Sequence, residues 1–157
     1  MPYTEEFLLE AIRLSKEKME GGEGGPFGAV IVKNGAIIGR GWNRVTSAND
    51  PTAHAEIEAI RDACNTLATF SLKGCEIYAS CEPCPMCLAA VYWARLDFLY
   101  FAATRADAAA AGFDDALLYE EISKPQMERN LRAEQHLRKK AQQVMNSWKI
   151  NPDKESY

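Results

Sequence analysis

An α/β fold, with helices layered around a sheet, is the class the sequence predicts. Three observations predict it: an Asn34-Gly35 pair between two apolar runs of strand length, further apolar runs at 76–80 and 98–102, and segments of helical period between them. A chain of 157 residues fits one compact domain, so residues 1–157 are expected to share a single core.

Thr4 followed by Glu5 and Glu6 starts a helix, and Phe7, Leu8, Ala11, Ile12, Ser15 and Met19 repeat at helical spacing up to Gly21-Gly22, so residues 4–20 read as the first helix. The glycine-rich stretch 21–28 lacks the lysine and spacing of a phosphate loop and reads as a connection. Residues 29–33 and 36–39 form a hairpin pattern, because Asn34-Gly35 supplies the positive φ angles that a tight turn demands. After a loop over 43–51, residues 52–67 carry Ala55, Ala59, Ile60 and Ala63 on a helical period, and residues 76–80 read as a third strand. Residues 84–93 are again helical, with Pro83 or Pro85 suited to the first turn, and residues 98–102 read as a fourth strand. Residues 106–111 read as irregular or briefly helical and 117–122 as a short element. Residues 126–148 read as one long amphipathic helix or two shorter ones, with the charged stretch 129–140 inside it.

The composition, 47% apolar and 25% charged, is that of a globular protein, and no apolar run approaches the length needed to cross a bilayer. The acidic N-terminus is unlike a secretory signal, so a cytoplasmic location is expected. A net charge of −4 argues against a surface built to neutralise many phosphates, which disfavours nucleic acid as the partner and favours a small polar substrate. Of the five cysteines, Cys81, Cys84 and Cys87 crowd together, which suits a metal rather than a disulfide framework.

His54-Ala55-Glu56 lies near the start of one helix and Pro83-Cys84-Pro85-Met86-Cys87 at the start of another. On a helix, Cys84 and Cys87 lie about 60° apart around the axis and can grip one ion, while the positive helix N-terminus favours thiolate. His54 adds a neutral nitrogen, and three protein ligands around Zn²⁺ leave one tetrahedral position for water. Glu56 is expected to act as the catalytic proton carrier beside that water. A regular helix would point His54 and Glu56 about 200° apart, so His54 is expected at the helix start, off regular geometry, with both side chains converging. H-x-E followed by P-C-x-x-C is a zinc deaminase signature. The bland reading is a structural zinc held by His54, Cys81, Cys84 and Cys87. Cys81 is instead assigned, with Cys64 and Cys75, to the core.

With these motifs the chain resembles the cytidine and deoxycytidylate deaminase superfamily, and within it the bacterial guanine deaminases. The resemblance rests on residues 24–32, 49–56, 80–87 and 92–95, on Gly112-Phe113-Asp114-Asp115, and on a C-terminal Tyr157. It implies a three-layer α/β/α sandwich around a mixed five-stranded sheet, one zinc per subunit, and a homodimer whose C-terminal arm, residues 125–157, is exchanged between subunits so that Tyr157 closes the partner's pocket. It also implies that Asn43 holds a ring through its amide, that Phe27 and Trp93 shape the pocket, that Phe113 with Asp115 lies near the leaving amine, and that Asp114 belongs to the substrate-binding set. In other folds such aromatics pack in cores and such aspartates cap helices.

The activity implied is hydrolytic deamination of guanine to xanthine and ammonia. The alternatives are a deaminase of cytosine, creatinine, a triazine or guanosine, a tRNA adenosine deaminase, and, in a different class, a non-enzymatic interaction module stapled by zinc. The basic residues Arg132, Arg138, Lys139 and Lys140 are interrupted by Glu128 and Glu134 and read as a solvated helix surface.

Overall fold

The computed structural model describes residues 2–157, which divide into two units, one up to Ala116 and the other Leu117–Tyr157. The first unit begins with α1 (Glu5–Glu20), followed by the hairpin β1 (Gly28–Lys33) and β2 (Ala36–Trp42). Asn34 and Gly35 take φ of 51° and 76°, as the turn requires. A short α2 (Val45–Ala48) interrupts the expected loop before α3 (Ala55–Leu67), β3 (Cys75–Cys81), α4 (Pro85–Trp93), β4 (Phe98–Ala103) and α5 (Arg105–Ala110).

The sheet has four strands in the order β2-β1-β3-β4, not the five expected. It is mixed: β1 runs antiparallel to both β2 and β3, and β4 runs parallel to β3. The sequence holds four apolar runs of strand length. Among the described residues the chain after β4 adds no further strand and forms helices and exposed coil.

Alternation along β1 sends Val30 and Val32 to one face, with Leu14 of α1 and Tyr78 of β3, and sends Ala29 and Ile31 to the other, with the alanines of α3. Helices therefore cover both faces. Between β1 and β2 the register skips Ile38, so that Gly39 and Gly41 turn toward α3. A Cβ at Gly41 would sit 2.1 Å from the carbonyl oxygen of Ala55, the first residue of α3, so only glycine lets strand and helix come this close.

The second unit holds most of α6 (Ala116–Ser123), a 3-10 turn (Gln126–Glu128) and α7 (Arg138–Ile150). The helix expected through 129–140 is absent up to Leu137. Arg129 instead turns its Nε to the Glu121 and Lys124 carbonyls, each at 3.1 Å, tying the chain to the end of α6. Leu137 at φ 54° then sets the start of α7. Among the described residues, no helix is long and apolar enough to cross a membrane.

Candidate active site

Two helix starts meet above the α3 face of the sheet. His54 is the N-cap of α3, with extended φ and ψ of −76° and 157°, off helical geometry as its pairing with Glu56 demanded. The turn before it is held by Asp50, whose carboxylate accepts from the Thr52 N–H at 2.8 Å and hydroxyl at 2.7 Å. This turn is why α3 begins at Ala55 rather than at residue 52. Cys84 is the N-cap of α4, just outside the helix on which it was expected. Pro85 occupies the first turn, where its missing N–H costs nothing, and Cys87 lies one turn in.

His54 Nδ1 is 3.5 Å from both Cys84 Sγ and Cys87 Sγ. All three ligand atoms lie within 4.8 Å of one another. A tetrahedral zinc with Zn–S of about 2.3 Å and Zn–N of about 2.0 Å spaces such atoms by roughly 3.5 Å, so geometry and donor chemistry both fit this ion. The three groups share protons: hydrogen bonds from Cys87 and His54 hold Cys84 down to about 4 as a thiolate. The same partnership raises Cys87, and the bond to Cys84 raises His54. A dication at this position favours the deprotonated form of each.

Cys81 stands outside the group. It is buried at the end of β3, its thiol directed at the Thr104 carbonyl at 3.6 Å, and burial pushes it up to about 11. Cys75 is likewise buried, and Cys64 packs half-buried against the same core.

Glu56, in the first turn of α3, is 7% exposed. Burial raises its carboxyl above the ordinary range, and its side chain hydrogen-bonds Cys87. The convergence of His54 and Glu56 therefore holds in three dimensions.

Asn43 is buried, and its Oδ1 accepts from the N–H groups of Gly25 and Val45, each at 3.2 Å. Both acceptor sites are occupied, so the side chain offers donors rather than the donor–acceptor pair expected of a free amide. Gly24 packs against it so closely that a Cβ there would lie 2.2 Å from the Asn43 carbonyl oxygen. Phe27 packs against the α3-side core and meets Phe113 edge-to-face at 4.9 Å, Phe113 itself being half exposed. Asp115 accepts from Arg105 Nε at 3.3 Å. Asp114 accepts from the Ala116 N–H at 2.9 Å, capping the start of α6. Trp93 ends α4 with 67% of its surface exposed, and Tyr157, 72% exposed, ends the second unit. Sequence reasoning missed Arg105 and Glu82. An isolated arginine and a glutamate beside a metal motif carry no periodic or spacing signal.

A buried carboxylate beside one imidazole and two thiols, at paired helix starts on an α/β layer, defines the class of zinc-dependent ring aminohydrolases. The family model for the cytidine and deoxycytidylate deaminase zinc-binding region matches residues 1–103, and the chain belongs to that family. It is 58% identical over 127 residues to guanine deaminase of Bacillus subtilis, covering 81% of each chain. An X-ray structure of guanine deaminase from Bacillus subtilis superposes with a TM-score of 0.96 at 49% identity, covering 99% of both chains. The tRNA-specific adenosine deaminase of Aquifex aeolicus is 48% identical over 99 residues, 63% of this chain and 65% of that one.

Proposed function

We propose that this chain deaminates guanine hydrolytically, releasing xanthine and ammonia. The observation that carries the reading is the buried Glu56 carboxyl, hydrogen-bonded to Cys87 within the His54, Cys84 and Cys87 group. Zinc bound there supplies Lewis acidity and lowers the pKa of water toward about 7. Glu56 does the proton work. Its raised pKa lets it take one proton of the attacking water and pass it to the ring nitrogen beside C2, then take the second from the hydroxyl that the attack leaves on C2 and hand it to the amine, which departs as the C2–N bond breaks and the carbonyl forms.

Substrate selection follows from what the neighbouring side chains offer. Asn43 presents N–H donors to ring acceptors, its oxygen being engaged by Gly25 and Val45. Asp115, salt-bridged to Arg105, presents an acceptor to ring N–H or amine groups. A purine carrying a carbonyl on one edge and N–H groups on another suits this pair. The identity to guanine deaminase of Bacillus subtilis supports the same substrate.

An ammonia-release screen with guanine, guanosine, adenine, cytosine, cytidine and creatinine tests the reading. Guanine is expected to turn over fastest, and adenosine in tRNA, offered alongside, is expected to be inert. The reverse order would overturn the assignment. The C-terminal arm is proposed to pack on a second copy of the chain, supported by the exposure of Val144, Met145 and Ile150 on α7. Truncation after Trp148, followed by light scattering and kinetics, reads both this pairing and the part proposed for Tyr157 in closing the partner's pocket.

A further inference from the structure

We infer that Arg105 is a positioning residue, orienting Asp115 for the substrate and tying the loop that carries it to the loop that carries the zinc cysteines. The inference rests on the reading above that Asp115 contacts the ring.

Arg105 is the first residue of α5, so its backbone N–H is one of the donors a helix start leaves without an internal partner. Glu82 Oε2 accepts it at 3.0 Å. Glu82 lies two residues before Cys84, and its own N–H donates to the Ala103 carbonyl at 2.8 Å, bonding the chain just beyond β3 to the end of β4. Thr104 and Asp107 complete a capping box across the same turn. The backbone of Arg105 is thereby set relative to the cysteine loop by bonds on both sides.

The side chain then reaches ten residues forward. Its Nε donates to Asp115 Oδ1 at 3.3 Å, while the chain between reverses at Gly112, where φ is 95°. Phe113 is fastened twice in that reversal, by its N–H to the Ala108 carbonyl at 2.9 Å and by its ring against Phe27. Asp115 lies beyond these fastenings, and Arg105 supplies the side-chain bond that fixes its carboxylate. With Oδ1 engaged by Arg105, Oδ2 is the carboxylate oxygen assigned to the ligand. Lysine, a point charge on a flexible stem, reproduces the charge but not this directed contact.

The experiment compares the zinc-loaded Arg105→Gln, Arg105→Lys and Asp115→Asn variants and the Arg105→Gln/Asp115→Asn double variant, measuring KM and kcat for guanine, bound zinc and melting temperature. Arg105→Gln is expected to raise KM by about tenfold, the usual effect of losing one charge-assisted hydrogen bond, with kcat, zinc content and melting temperature close to the parent. Arg105→Lys is expected to recover part of that loss. The double variant should be no worse than Asp115→Asn, because the two residues act through one contact. A KM unchanged in Arg105→Gln while Asp115→Asn is impaired would overturn the positioning role and leave the reading of Asp115 standing. An Asp115→Asn variant with parental kinetics would overturn that reading and the inference with it. Loss of melting temperature or zinc in Arg105→Gln, with unchanged KM per zinc-loaded molecule, would make the residue a structural strut only.

Discussion

The two faces of the sheet are drawn from alternate residues of the same strands, yet they pack in different ways. The α1 face uses mostly bulk: Leu14, Val30, Val32 and Tyr78, with Phe7, Trp42 and Tyr100 around them, and one close approach where a Cβ at Gly28 would lie 2.3 Å from the Ala11 carbonyl oxygen. The α3 face uses small residues, with Ala55, Ala59 and Ala63 of the helix lying on Ala29 and Ala79 of the strands and against Gly39 and Gly41. Large side chains hold a helix away from the sheet, and the distance varies with the residues between them. Alanine against glycine brings backbone to backbone, and the first turn of α3, which presents His54 and Glu56, is placed by main-chain contact rather than by adjustable side chains. The comparison teaches that the turn carrying His54 and Glu56 is seated by two glycine contacts under an alanine helix, whereas the opposite helix has one such contact, at Gly28, and is otherwise held by bulk.

The sharpest separation comes from Glu56→Gln. Activity is expected to fall by about 10²–10⁴-fold, the usual worth of a positioned acid–base group, with zinc content and melting temperature retained. Near-parental turnover would remove Glu56 from the proton path and erase the functional contrast between the faces.

Leu14→Ala tests the other side. Opening a cavity at this buried position should cost about 2–5 kcal/mol of stability by denaturant titration, with kcat/KM per folded molecule unchanged. A kinetic defect of comparable size would mean that the α1 face also shapes the site.

Gly41→Ala attacks the seam directly. Its new Cβ meets Ala55 O at 2.1 Å and Ala59 N at 2.3 Å, so α3 must shift. The expected loss is about 1–3 kcal/mol of stability, accompanied by weaker zinc retention against a chelator. Leu14→Ala should leave zinc retention as it is.

The smallest effect concerns Tyr78, whose hydroxyl donates to Glu76 at 2.8 Å on the α1 face. Burial, and then this bond, raises its pKa from 10.0 to about 12. The folded state holds the phenolic proton more tightly than the unfolded chain does. The resulting stability is complete below pH 10, and it is lost as pH rises through 12. Tyr78→Phe should cost about 1 kcal/mol near neutrality and flatten that alkaline decline in melting temperature. An unchanged decline would assign it to other groups.

Much of the fold was legible because its signals are local. Asn34-Gly35 needs positive φ wherever it occurs, and the hairpin followed. His54 and Glu56 cannot converge on a regular helix, so the position of His54 at the helix start could be reasoned from spacing alone. Other features were not legible, and for identifiable reasons. Four residues of α2 are too few to show a period. Cys84 stands outside α4 because Pro85 starts the helix after it. The helical charge pattern of 129–140 was overridden up to Leu137, where Arg129 found better partners in the carbonyls ending α6.

Residue type and spacing were enough to single out the His54, Cys84 and Cys87 group, the neighbouring Glu56 and the four strands, because each depends on a few neighbours along the chain and on chemistry those side chains carry anywhere. Strand order, the covering of two faces by different helices and the Arg105–Asp115 pair arise from contacts between segments distant in sequence. Such contacts are selected by packing and hydrogen-bond satisfaction across the whole fold, and they leave no periodic trace in the order of residues.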